Sequence, residues 1–181
     1  MKRLFFALDI NAKDRHIIRE WREQQIQTTF PLTKPVDEEN LHITLAFLGA
    51  VSDEQQLAFS DFCDQNFSSY EQEKSRYFTL HLTHLKLFNK PKVLYLGFEH
   101  FPLPLLSIAE TLTKEAKNHG LFQEERDYCP HVSIAHHVKE LPSQKSISIP
   151  IKVNSFSLYH SQSSPAGVKY NPIHSWSLLK K

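Results

Sequence analysis

The chain has 181 residues, 40% hydrophobic and 23% charged, with a formal net charge of +1. This is ordinary globular composition at a length that fits one domain or two small repeated lobes, so it excludes a disordered chain and the strongly basic surface of a protein that coats long nucleic acid, while leaving room for a small phosphate-binding cleft. No apolar run approaches the roughly 18 residues of a membrane span, and Cys63 and Cys129, with no paired spacing, fit free thiols in a reducing compartment, the cytoplasm.

In chain order, residues 2–9 read as a strand, and the apolar run that mimics a signal peptide ends too early, at Asp9. Asn11 with Asp14 marks a helix start, and Ile17, Ile18, Trp21 and Gln25 follow at near-helical spacing until Pro31 and Pro35 break the pattern. Residues 40–49 read as a buried strand in which Leu41, Ile43, Leu45 and Phe47 alternate with His42, Thr44, Ala46 and Leu48, closed by Gly49. Ser52 with Gln55 forms a capping box for a second helix that carries Phe59, Phe62 and Cys63 on one side and ends near Phe67. A polar connector over 68–75 leads to a strand over 77–88, with Phe78, Leu80 and Leu82 on one face and Thr79, His81 and Thr83 on the other. Asn89-Lys90-Pro91 supplies the turn of a hairpin to a strand over 93–98. Leu105, Ile108, Ala109, Leu112 and Ala116 define a third helix, with Pro104 near its start and Gly120 as its stop. After the strand over 130–136 come a polar loop over 139–148, a strand over 151–159, an exposed loop over 161–167 and a closing strand over 173–179. The four glycines stand too far apart for a phosphate loop or a dinucleotide fingerprint, so any phosphate has to be held by side chains or element ends.

On a strand His42 and Thr44 share one face, and His131 and Ser133 repeat the same chemistry. In a chain with 11 histidines one such motif is commonplace. Two are not, because the 89-residue offset between them also carries residues 4–8 onto 93–97. This points to an internal duplication: a single α+β domain over 1–181, built of two pseudo-symmetric antiparallel lobes with helices on their outer faces. Its two histidine strands then face one cleft between the lobes. The pairs His81/His84 and His136/His137 fall on opposite strand faces and lack a third ligand at suitable spacing, which argues against a metal site. Tyr128, Tyr159 and Tyr170 are candidates for stacking a base or for packing, and Lys169 for a phosphate contact or a solvated charge.

With these residues in hand, the chain resembles the 2H phosphoesterases and, within them, the LigT-like RNA 2′,3′-cyclic phosphodiesterases. The carriers are Arg3-Leu4-Phe5-Phe6-Ala7-Leu8-Asp9, Asn40-Leu41-His42-Ile43-Thr44-Leu45-Ala46-Phe47-Leu48-Gly49, Pro130-His131-Val132-Ser133-Ile134 and Phe156-Ser157-Leu158-Tyr159. The resemblance implies His42 as proton donor and His131 as proton acceptor, with Thr44 and Ser133 donating to the phosphate oxygens. It implies hydrolysis of a 2′,3′-cyclic phosphate, at RNA 3′ ends or on small nucleotides, to a 2′-phosphate. Imidazole, with an ordinary pKa of about 6.5, suits both proton transfers, and the scheme requires no cofactor and no metal. His136, Tyr128, Tyr159 and Lys169 are the substrate-side candidates; the family often has an arginine where His136 stands, and some members have a more basic final loop. Relatives that hydrolyse or ligate 2′-5′ linkages, a non-catalytic RNA-end binder and a metal hydrolase are the competing readings. No membrane partner and no obligate protein partner is expected.

Overall fold

Leu4, Phe6 and Leu8 turn one face of the first strand into the core, and the remaining elements are laid around that strand. The computed structural model describes residues 1–28, 30–32, 34–67, 78–121, 127–143, 146–165 and 167–178. The polar connector expected over 68–75, Tyr77 and the last residue of the closing strand, Leu179, lie outside the described residues.

The elements are β1 (Lys2–Leu8), α1 (Ala12–Arg22, prolonged by a π turn over Glu23–Gln27), β2 (Lys34–Pro35), a 3₁₀ turn (Glu38–Asn40), β3 (Ile43–Val51) and α2 (Asp53–Phe67). They continue as β4 (Phe78–Leu82), β5 (His84–Phe88), β6 (Val93–Gly97), α3 (Leu103–Asn118), β7 (His131–His136), β8 (Ile149–Val153), β9 (Ser155–Ser164) and β10 (Gly167–Ser177). The main sheet runs β10-β9-β1-β3-β7-β6-β5, with the short β2 also on β7, and β4 and β8 form a small second sheet. Every pairing is antiparallel. The halves β10-β9-β1-β3 and β7-β6-β5 are the two expected lobes, and they meet where Ile43 faces Val132.

One sheet face is apolar and covered. Phe6, Leu8, Ile43, Leu45, Leu94, Leu96, Val132, Ile134, Phe156 and Leu158 pack with Ile18, Phe59, Cys63, Leu105, Ile108 and Leu112 from the helices. Each large side chain buried there contributes about 1.5–3 kcal/mol, enough to hold the strands while the other face carries polar groups. The helix starts follow the sequence signals. Asn11 Oδ1 accepts from the Asp14 N–H at 2.9 Å, and Ser52 and Gln55 exchange bonds of 3.0 and 3.1 Å as a capping box. Among the described residues no helix is long and apolar enough to cross a membrane.

Three expectations are corrected. The single strand over 77–88 is divided at Thr83, whose N–H donates to the Gly97 carbonyl and whose Oγ1 accepts from the Glu99 N–H. Those bonds hand the chain from the small sheet to the main one, so Leu80 and Leu85 are buried in different sheets. The strand over 151–159 is divided likewise at Asn154, with β8 on β4 and β9 on β1. The loop over 161–167 is instead the end of a long hairpin: β9 reaches Ser164 and β10 begins at Gly167, well before residue 173. The Ser- and Gln-rich composition of 161–164 reads as loop, but cross-strand backbone pairing makes those residues strand.

Candidate active site

Ile43 and Val132, opposite each other at the seam between the lobes, are both fully buried. Residues paired across antiparallel strands share a face, and their chain neighbours take the other. His42, Thr44, His131 and Ser133 therefore all rise from the uncovered face, with Thr44 beside His131 and His42 beside Ser133; all four are half-buried.

Beyond this quartet the alternation breaks at the same place in both lobes. Leu45 is skipped in the pairing of β3 with β1, and Ile134 is skipped in the pairing of β7 with β6. A bulge puts two successive residues on one side. Leu45 with Ala46, and Ile134 with Ala135, are accordingly all buried, and the next residue, Phe47 or His136, returns to the quartet's face. This corrects the strict alternation over 40–49, which grouped Phe47 with the core: Phe47 is 61% exposed. It also corrects the repeat for the flanking strands. The pairs His42/His131 and Phe47/His136 are 89 residues apart, but their strand partners Phe5 and Val93 are 88 apart. Arg22, buried at the end of α1, holds the second bulge by donating from Nη1 to the carbonyls of Val36 and Ile134.

Each imidazole is set in the same way. Nδ1 of His42 lies 2.7 Å from the Asn40 carbonyl, and Nδ1 of His131 lies 2.8 Å from the Cys129 carbonyl. A carbonyl only accepts, so Nδ1 carries the hydrogen in both rings and Nε2 is left for chemistry. Nε2 of His42 is 3.0 Å from Thr44 Oγ1, which donates to it while the ring is neutral. His42 is wedged between Phe5 and Tyr170, each 5.1 Å away between centroids, and His131 between Phe88 and Tyr95 at 5.0 and 5.2 Å. Burial, and to a smaller extent the charge of His131, holds His42 well below an ordinary imidazole, at about 4, against the Asn40 carbonyl, which opposes the shift.

The other candidates separate. His136 lies on the quartet's face opposite Lys34, and burial, then the Lys34 charge, lowers its pKa. Tyr159 stacks on Phe5 at 5.4 Å with its hydroxyl donated to Asp9, which also accepts from Ser155 and Ser157. Tyr170 is edge-on to both His42 and Phe5, held by Asn40, whose side chain donates to the Val168 carbonyl and accepts from the Tyr170 N–H. Tyr128 is packed against the core and donates its hydroxyl to the Thr44 carbonyl at 2.8 Å, tying the second lobe to the first motif. Lys169 alternates with Tyr170 onto the other face of β10 and is not brought to the quartet. His81 and His84 end in different sheets; His84 lies across Gly97, where a Cβ would collide with its ring, and shares a cross-strand row with His131. Sequence reading missed Phe47, Phe5, Lys34 and Arg22. The 89-residue offset, extended five residues past each histidine, already pairs Phe47 with His136.

The seam thus brings two half-buried imidazoles and two hydroxyls to one face of the sheet. The family model described as the 2′-5′ RNA ligase superfamily matches residues 10–160. The chain is 32% identical to an RNA 2′,3′-cyclic phosphodiesterase of Escherichia coli, over 99% of this chain and 98% of that protein. It is 31% identical to one of Thermotoga maritima, over 95% and 93%. The crystal structure of Escherichia coli LigT complexed with 3′-AMP superimposes with a TM-score of 0.86 at 31% identity, covering 99% of each chain. The chain belongs to the 2′-5′ RNA ligase superfamily, among enzymes of the RNA 2′,3′-cyclic phosphodiesterase type.

Proposed function

We propose that the protein hydrolyses 2′,3′-cyclic phosphates at RNA 3′ ends to 2′-phosphomonoesters, with His131 as general base and His42 as general acid. The observation that carries this reading is the matched pair of Nδ1-to-carbonyl bonds, which leaves both Nε2 atoms on one face of the seam. Water attacks phosphorus in line and gives a proton to His131 Nε2. The bond from phosphorus to the 3′ oxygen breaks, and that oxygen takes a proton from His42 Nε2. One water is consumed, and the product carries a 3′ hydroxyl and a 2′-phosphate. Thr44 and Ser133 donate to the non-bridging oxygens as charge redistributes.

His42 is neutral in the free protein at neutral pH, so the proton it delivers is taken from solvent as the substrate binds: the phosphate anion supplies the counter-charge that burial withholds. The relative's complex with 3′-AMP supports a nucleotide as the kind of ligand the protein takes. The test is to incubate the pure protein with an oligonucleotide ending in a 2′,3′-cyclic phosphate and resolve the products. A 2′-phosphate end is expected. A 3′-phosphate end, or an unchanged substrate, would reject the scheme.

A further inference from the structure

On the outer edge of β10, the end strand of the main sheet, a side chain takes the place of a strand. Asn40 donates from Nδ2 to the Val168 carbonyl at 2.7 Å and accepts the Tyr170 N–H on Oδ1 at 3.2 Å. A neighbour in a parallel ladder makes the same two bonds, to a carbonyl and an N–H two residues apart. Few side chains can imitate it, because the group has to donate and accept at once, as an amide does and a carboxylate or an ammonium does not.

The stretch held in this way is an arm. β9 pairs with β1 only as far as His160, opposite Leu4, so residues 161–164 and 167–170 run on past β1 and pair with each other. Two strands alone are marginal, and the arm depends on what fastens it. Besides the two bonds to Asn40, the Tyr170 ring stands edge-on to Phe5 at 4.9 Å and to His42 at 5.1 Å. Asn40 therefore reaches His42 twice. Its backbone carbonyl orients the ring at Nδ1, which any residue at this position would do, and its side chain holds the arm that covers the ring. The second lobe ends at β5, with no counterpart of β10 in the described sheet. Among the described residues, the titratable groups facing His42 are His131 from β7 and the Tyr170 hydroxyl from β10, which its own burial keeps protonated; Phe5 from β1 is apolar. Lifting the arm thus changes the burial of His42 and leaves its charged neighbour in place.

We infer that Asn40 is a positioning residue for the general acid: its side-chain amide clasps the β9–β10 arm down on His42 and keeps water from that imidazole. Asn40 touches no reacting atom and acts through Tyr170. This rests on the reading of His42 as the acid, and it assigns the dry setting of that ring to one amide on a neighbouring turn.

The experiment follows the ring resonances of His42 and His131 by NMR in the ligand-free protein as pH is raised from acid to alkaline. Asn40→Ala keeps the carbonyl that orients the ring and removes the clasp. The His42 titration midpoint is expected to rise from about 4 towards the ordinary 6.5, by about one pH unit or more, with the His131 midpoint moving less than half as far. On adenosine 2′,3′-cyclic phosphate kcat should fall about tenfold or more, as the loss of a held geometry does, with KM within about threefold. Tyr170→Ala opens the same cover without touching Asn40 and should raise the midpoint alike, whereas Tyr170→Phe keeps the ring and should leave it unchanged. Because the amide acts through the arm, Asn40→Ala combined with Tyr170→Ala should move the midpoint no further than either change alone. A His42 midpoint that stays put in Asn40→Ala, or two substitutions whose effects add, would overturn the clasp. The two readings fail separately. A raised midpoint in a protein whose turnover is indifferent to His42→Ala keeps the clasp and removes the catalytic scheme, whereas an unmoved midpoint in a protein that needs His42 for hydrolysis does the reverse.

Discussion

The carbonyls of Asn40 and Cys129, 89 residues apart, do the same thing: each accepts the Nδ1–H of the histidine two residues on, at 2.7 and 2.8 Å. Because the acceptor is backbone, the duplicated element keeps its imidazoles oriented whatever side chain stands there. That freedom has been used in one lobe. The Asn40 side chain reaches β10 and brings Tyr170 edge-on to His42, whereas Cys129 remains an exposed thiol. The two lobes thus share one orienting device and differ in what the side chain beside it reaches.

Removing either imidazole tests the proton transfers. General acid or base catalysis typically contributes about 10²–10⁴-fold, so His42→Ala and His131→Ala should each lower turnover on that scale with the circular dichroism spectrum unchanged. Thr44→Ala and Ser133→Ala remove one neutral donor each and should cost less. The wild-type rate should survive exhaustive chelation, since every proton in the scheme moves through an imidazole. Activity that vanishes with a divalent ion and returns with it would mean a metal-activated water.

Stability should fall on acidification through a window set by His42. Its pKa is about 4 in the folded protein and about 6.5 when unfolded, so the unfolded chain binds the proton more tightly. The folded state therefore has its full stability above about pH 6.5 and loses it as pH falls towards 4, by about 3 kcal/mol in all for this group. Thermal midpoints at pH 7.5 and 4.5 should drop less for His42→Asn than for the wild type. Equal drops would show that burial does not oppose the charge.

Much of this was legible in the chain, and the parts that were not have physical reasons. Period-two and period-three-to-four patterns located the strands and helices, and the repeated His-x-Thr and His-x-Ser motifs located the quartet, because those signals are local. The breaks at Thr83 and Asn154 were not legible, since continuous alternation does not say which sheet a strand joins. Neither was the strand character of 161–164, where backbone pairing outweighs a polar composition. The bulges at Leu45 and Ile134 leave a trace, two adjacent apolar residues inside an alternating run, but Ala46 and Ala135 are small enough to read as fillers on either face.

Arg22 should prove a stability determinant with a local effect on the site. Its buried guanidinium donates to the carbonyls of Val36 and Ile134, so Arg22→Met would fill the volume but take that donor from both carbonyls. Leaving buried polar groups short of partners costs about 1–3 kcal/mol. The urea midpoint should fall accordingly with the slope unchanged. Hydrogen exchange should quicken first at Val36, whose amide bonds the Ile134 carbonyl at 2.9 Å, and a uniform change along the chain would refute a local role at the bulge.

The proton that His42 delivers has to be acquired, and this can be measured without turnover. In the free protein the ring is neutral at pH 7, since burial and the neighbouring His131 hold its pKa at about 4. A phosphate monoester placed between the two Nε2 atoms reverses the sign of the local field and favours imidazolium over imidazole. Binding of adenosine 2′-phosphate at pH 7 should therefore draw protons from solution, up to about one per site, and the observed enthalpy should vary linearly with the ionisation enthalpy of the buffer. His42→Asn should abolish most of that slope. A slope near zero in the wild type would mean that His42 stays neutral in the complex, and the general-acid role would have to pass to another group.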